Sequence, residues 1–294
     1  MEPFTLLTDN IRRDIGNALI TLNRLVMLKK TLLPLSLGES RHGLRDMAEF
    51  LKSLGTESVC LCHIFENQSS GKRNKRALSS LEDIADIFRE YEFHVETVTA
   101  NGSIASEICR QAVNQNVDYI SVLWKRKNVI KRSILSSPDI DLLRICNFTT
   151  LIFKTRRYLA NDPGLEAILY ATDCKEADKR VLPYLTQIPF GVSRLLILHV
   201  RDRAPDPETD KKRSIMMQEK IDDLAKKCRD NYTEVKTLLE VGSTRSEIAR
   251  SARKQNAGLV VIGRNEKRKP MDKILGSTAE VLPYRVRSSI LIVT

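Results

Sequence analysis

The sequence predicts an α/β protein: two tandem, doubly wound parallel sheets of five strands each, with an extra N-terminal helix. Three observations carry this expectation. The first is an internal repeat. Residues 102–154 align with 242–294 without a gap at an offset of 140, and sixteen of the 53 positions are identical, including Gly102/Gly242, Ser103/Ser243, Glu107/Glu247, Ile134/Ile274 and Ser137/Ser277. Unrelated segments of that length would share roughly three. The second is alternation. The later copy carries apolar runs at 166–172, 194–200, 234–239, 258–262 and 288–293, short and rich in Val, Ile and Leu as doubly buried parallel strands are. Amphipathic segments lie between them, as right-handed crossovers require. The third is length: 294 residues hold two domains of ordinary size, each with its own core.

Taken in order, the elements begin with a segment that has no twin. In residues 8–29, Ile11, Ile15, Ala18, Leu19, Leu22, Leu25 and Val26 form one helical stripe, with Thr8 or Asp9 placed to cap it. The stripe is expected to pack on the first domain or across a dimer. Arg12, Arg13, Arg24, Lys29 and Lys30 leave membrane-surface binding as the alternative.

The first copy spans 30–156. Its opening strand lies in TLLPLSLGES (31–40), set against AILYATDCKE (167–176), which places Leu37 opposite Asp173. VCLCHIF (59–65) is the second strand, matching LLILHVR (195–201) with His63 and His199 in register; both histidines are expected to be packing residues. The joint RRYLANDPGLE (156–166) contains Asn161-Asp162-Pro163-Gly164, strong turn chemistry. The second copy spans 165–294. Ser243, with Glu247 downstream, marks a helix start ahead of SEIARSARKQ (246–255). SSILIVT (288–294) is the last strand and the natural dimer edge.

One loop carries candidate chemistry. IGRNEKRKPMDKILGST (262–278) ends a strand at Gly263, passes through Arg264, Lys267, Arg268 and Lys269, and reaches Gly276-Ser277-Thr278. Glycine lets backbone N–H groups approach a phosphate, and a helix N-terminus favours an anion. Ligands of open parallel sheets sit beyond the strands' carboxyl ends, where strand order reverses. If the first and fourth strands are neighbours, Thr172 and Asp173 meet this loop there, and Asp173 can accept hydrogen bonds from a ribose or base.

The two copies resemble universal stress protein (UspA-type) domains, a Rossmann-like fold, over nearly the whole chain from about Lys30 to Thr294. ATP-binding members carry G-x2-G-x9-G-[ST] after strand four and an Asp closing strand one. Gly263 and Gly276-Ser277 fill the outer positions, Asp173 the acidic one, and Val200 matches the residue packed near adenine. The resemblance therefore implies a nucleotide site of Thr172, Asp173, Val200, Gly263, Arg264, Gly276, Ser277 and Thr278, with ATP or AMP as ligand. Glu266 replaces the middle glycine, and a carboxylate about 4 Å from a phosphate oxygen opposes it by about 1 kcal/mol in water and more in a drier site. The first copy departs further: Leu123, Arg126 and Ser136 stand at the three glycine positions, so it is expected to be a degenerate scaffold.

Apolar content of 42% and charge of 29% describe a soluble globular protein. A net charge of +11 favours anionic partners. Lys125, Arg126, Lys127, Lys131 and Arg132 mirror the later loop's cations, and GKRNKR (71–76) opens on the same carboxyl edge, giving either solvated loops or an anion-facing rim. Trp124 is read as packing, with base stacking as the alternative. No Cys or His cluster has metal spacing, no run is long enough to cross a membrane, and six scattered cysteines point to a reduced cytoplasmic setting with thiols as small core residues. No catalytic signature is present, so an enzyme is not expected. Two readings stay open: a stress-response regulator binding an adenine nucleotide in its second domain, dimeric or satisfying the dimer edge internally, or a nucleotide-independent scaffold. In the scaffold the basic rim docks a protein, a membrane or, against the missing aromatics of an RNA surface, a nucleic acid.

Overall fold

The computed structural model describes residues 28–66, 71–124, 138–155, 165–187, 191–264 and 277–294. Nearly all of the helix expected over 8–29 lies outside these residues. In the first half, strands β1 (Lys30–Pro34), β2 (Ser58–Phe65), β3 (His94–Asn101), β4 (Tyr119–Leu123) and β5 (Thr150–Phe153) alternate with helices α1 (Arg41–Ser53), α2 (Gly71–Arg89), α3 (Ile104–Asn114) and α4 (Pro138–Ile145). The second half repeats this with β6 (Ala167–Thr172), β7 (Arg194–Arg201), β8 (Glu234–Val241), β9 (Leu259–Gly263) and β10 (Ser289–Val293), and helices α5 (Ala177–Gln187), α6 (Pro207–Cys228), α7 (Thr244–Lys254) and α8 (Ser277–Arg285).

The two expected sheets are fused into one. Strand order is β3-β2-β1-β4-β5-β10-β9-β6-β7-β8; pairing is parallel within each half and antiparallel only where β5 meets β10, with Leu151 opposite Leu291. The reason is burial. Every residue of β5 and β10 is buried, and an apolar edge with unpaired N–H and C=O groups is costly to leave open. The presumed dimer edge is therefore consumed within the chain. On one face a single apolar layer continues across the junction, from Leu61 and Phe153 to Val181, Ile197 and Leu291. On the other face, α3 covers Leu32 and Ile120 in the first half, while α7 and α8 cover Leu169 and Val260 in the second.

Local chemistry sets the helix starts. Ser40 caps α1 by accepting from Gly43 N–H at 3.1 Å, and Asp206 caps α6 by accepting from Thr209 N–H at 2.8 Å, with Pro207 in the first turn. Ser103 and Ser243 also stand at N-caps, but neither side chain bonds the helix. The repeated Gly-Ser-x-x-x-Glu has another cause. Gly102 and Gly242 hold φ of 142° and 146°, and a Cβ at either would lie 3.1 Å from the side chain of Glu107 or Glu247 folded over it.

The cations at 71–76 begin α2 instead of extending a loop. Cys109 on α3 and Cys146 just beyond α4 are paired, their Cα atoms 5.6 Å apart, instead of serving as isolated core thiols. The other four, Cys60, Cys62, Cys174 and Cys228, are free. Among the described residues no helix is long and apolar enough to cross a membrane.

Candidate functional site

In the second half, β6 lies between β7 and β9. The chain leaves β6 toward β7 on one side and returns beside it as β9, so strand order reverses there and a crevice opens beyond the carboxyl ends. Ala171 is paired with Ile262, which sets Thr172 and Asp173 at the end of one wall and Gly263 and Arg264 at the end of the other.

The end of β6 is held by a buried polar network that the sequence did not announce. Asp178, in the first turn of α5, accepts from Tyr170 Oη and Thr172 Oγ1, each at 2.5 Å. Thr172 Oγ1 in turn accepts from Cys174 N–H at 2.7 Å. His199 Nδ1 lies 3.0 Å from the Thr172 carbonyl; a carbonyl only accepts, so Nδ1 carries the proton. Burial, with Asp178 adding to it, drives the Tyr170 hydroxyl well above its usual range. Burial likewise pushes the Cys174 thiol up to about 11. Thr172 is thus held on both its hydroxyl and its carbonyl. The next residue, Asp173, is half-buried and stands 3.7 Å from Lys175.

The equivalent place in the first half corrects the expected alignment. Thr31 pairs with Val59 and Tyr119, as Ile168 pairs with Leu195 and Leu259. His63 Nδ1 donates to the Leu35 carbonyl at 2.8 Å, as His199 does to Thr172. Leu37 and Cys174 share the left-handed backbone, φ 63° and 57°. All three set the offset at 137, so Ser36, not Leu37, replaces Asp173. There Glu39 folds back and accepts from Ser36 N–H at 3.1 Å and Ser36 Oγ at 2.7 Å. The chain's own carboxylate thus engages Ser36, which stands where the second half has the acceptor Asp173.

Gly263 has a packing reason for being bare. A Cβ there would lie 2.6 Å from Ala177 Cβ and 3.1 Å from Val181 Cγ2. In the first half Leu123 ends β4 in its place, and the bare position is Gly43 of α1, where a Cβ would lie 3.0 Å from Ser40 Oγ and Thr155 Cγ2.

Arg264, expected at the phosphate, reaches the other half instead. Its guanidinium donates to the carbonyls of Cys146 at 2.8 Å and Arg144 at 3.2 Å, where a cation suits the negative end of α4. Burial lowers its pKa. The Arg264 carbonyl accepts from Arg180 of α5, a second cation at the crevice that the motif did not include. Trp124, its counterpart, also crosses the junction and packs edge-to-face on Tyr284, centroids 5.1 Å apart.

Ser277 opens α8 and Thr278 follows in its first turn, half-buried. Val200 is the next-to-last residue of β7, half-buried against the α7–α8 side of the sheet. Glu266 and Gly276 lie outside the described residues, as do the cations at 125–132 and 267–273. Among the described residues no cluster of three or more His, Cys, Asp or Glu could hold a metal.

Residues 164–294 match the universal stress protein family. The chain as a whole shares the fold of a universal stress protein from Archaeoglobus fulgidus DSM 4304, at TM-score 0.67 and 20% identity over 90% of this chain and 98% of that one. It also matches a putative universal stress protein from Pseudomonas aeruginosa UCBPP-PA14, at TM-score 0.66 and 21% identity over 92% and 95%. A functionally unknown protein from Pseudomonas aeruginosa PAO1 matches at TM-score 0.68 and 19% identity over 92% and 94%. No curated protein matches the sequence.

Proposed function

We propose, from a chain whose second half is a universal stress protein domain and whose two halves share that fold, that residues 165–294 bind an adenine nucleotide and that the protein is a non-catalytic regulator of a stress response. The observation that carries the reading is the β6/β9 switch point, which brings Asp173 and Gly263 to the ends of adjacent strands, with a helix opening at Ser277. In this reading Asp173 accepts from the ribose, Val200 lines the base side, and Gly263, Gly276, Ser277 and Thr278 offer donors to phosphate, while Arg264 anchors the loop. Among the described residues, the Asp178 carboxylate beside Thr172 is engaged by two hydroxyls. Calorimetry with ATP and AMP tests the proposal. Micromolar binding by the intact chain, weakened about tenfold or more by Asp173→Ala, is expected; no heat from folded protein sinks it.

One observation favours the scaffold reading. Packing against Ala177 is enough to require Gly263, so that glycine would persist even in a vestigial site. A partner whose capture is unchanged by nucleotide and by Asp173→Ala would select the scaffold.

A further inference from the structure

A second cleft, of about 450 Å³, opens at the opposite edge of the second half, beside the amino ends of β9 and β10. Its walls come from α7, from the end of α8 and the turn after it, and from Lys154 and Thr155 of the first half. Five cations line it (Lys154, Arg250, Arg253, Arg285 and Arg287) and no acidic residue does. Two of the five are already committed. Lys154 Nζ donates to the carbonyls of Pro283 and Val286, and Arg250 pairs with Glu240 and Glu247. Arg253, Arg285 and Arg287 are exposed and have no ion pair among the described residues; Arg285 reaches only Ser246 Oγ, at 3.5 Å. Asn256, on the same rim, donates to Glu166 at 3.2 Å, outside the lining.

The plain explanation is that arginines compensate the negative ends of α7 and α8. The repeat supplies the control. Helices α3 and α4 end in the same way in the first half, yet at an offset of 140 the residues opposite Arg253, Arg285 and Arg287 are Val113, Ile145 and Asn147. Val113 is 66% exposed and α3 has no basic residue in its last turn, whereas the end of α4 has Arg144 in its last turn and receives Arg264. The helix dipole therefore does not require Arg253, and Arg287 lies beyond the end of α8.

We propose that this cleft is a second anion site, taking a small polyphosphorylated ligand distinct from the nucleotide of the β6/β9 crevice. Three guanidinium forks match phosphate oxygens in bidentate fashion, and Ala249, Ala252 and Phe50 give an apolar wall beside them. The volume suits one drug-sized molecule and not an extended polymer.

The test uses the intact chain and inorganic tripolyphosphate as probe, followed by calorimetry at low salt. The variant R253V/R285I/R287N installs the first half's own residues, which that backbone already tolerates. It is expected to keep the circular-dichroism melt and to weaken tripolyphosphate at least about tenfold. Asp173→Ala, which addresses the other crevice, is expected to leave tripolyphosphate unchanged. The proposal is overturned if the wild-type chain takes up no tripolyphosphate, if the triple variant binds it as tightly, or if Asp173→Ala abolishes it. Binding of a single-stranded oligonucleotide that tripolyphosphate does not displace would also overturn it, assigning the arginines to a polymer.

Discussion

At the scale of single residues, Gly263 shows how one atom can answer to two demands. Its spacing from Gly276 makes it a candidate for a phosphate loop, and that expectation came from the sequence. Its contact with Ala177 was not legible, because nothing local in the sequence says which helix residue faces the strand end. Replacing Gly263 by Ala forces two Cβ atoms to 2.6 Å, and overpacking of this kind costs about 1–3 kcal/mol. A denaturant melt without nucleotide should show that loss, and G263A/A177G should recover part of it; an unperturbed single variant would mean that the helix yields freely. The slip between Leu37 and Ser36 has a similar origin. The first strand aligns as well at an offset of 136 as at 137, and the strand pairing, the carbonyl taken by each histidine and the left-handed residue fix the register.

Among elements, the ten strands were readable because short runs of Val, Ile and Leu alternate with helical segments, and the strand bounds fall within a few residues of those runs. What joins the elements was harder to see. Arg201, at the end of β7, forks onto Asp210 of α6 through bonds of 2.5 and 2.8 Å, and Ala204 N–H adds a third at 2.8 Å. Arg201 first, and then that N–H, bring the Asp210 pKa from 3.8 down to about 2. The folded value lies below the unfolded one. The clamp's stabilisation is therefore complete above the ordinary aspartate range and is lost as pH falls through the folded value. Asp210→Asn should lower Tm at neutral pH and flatten its decline between about pH 4 and 2; a wild-type slope in the variant would assign the acid sensitivity elsewhere.

For the whole molecule, the repeat announced two copies but not how they meet, since edge pairing depends on two strands 140 residues apart. With β5 on β10 and one apolar layer running through both halves, the chain should unfold as a unit. Its single tryptophan stands at the junction against Tyr284, so fluorescence and circular dichroism should share one midpoint in urea. Light scattering should give the mass of one chain, because the edge that would recruit a second copy is occupied. Separate midpoints, or a dimer mass, would show that the junction is weaker than its burial implies.

The covalent tie between the copies has a consequence for what each can become. When two identical subunits meet about a twofold axis, any mutation is imposed on both, and a change useful at one place must be endured at the other. Here the axis survives only in the backbone. One copy bonds a glutamate back onto Ser36 while the other carries arginines at its far rim, so a single gene product can hold two unlike surfaces in fixed mutual orientation.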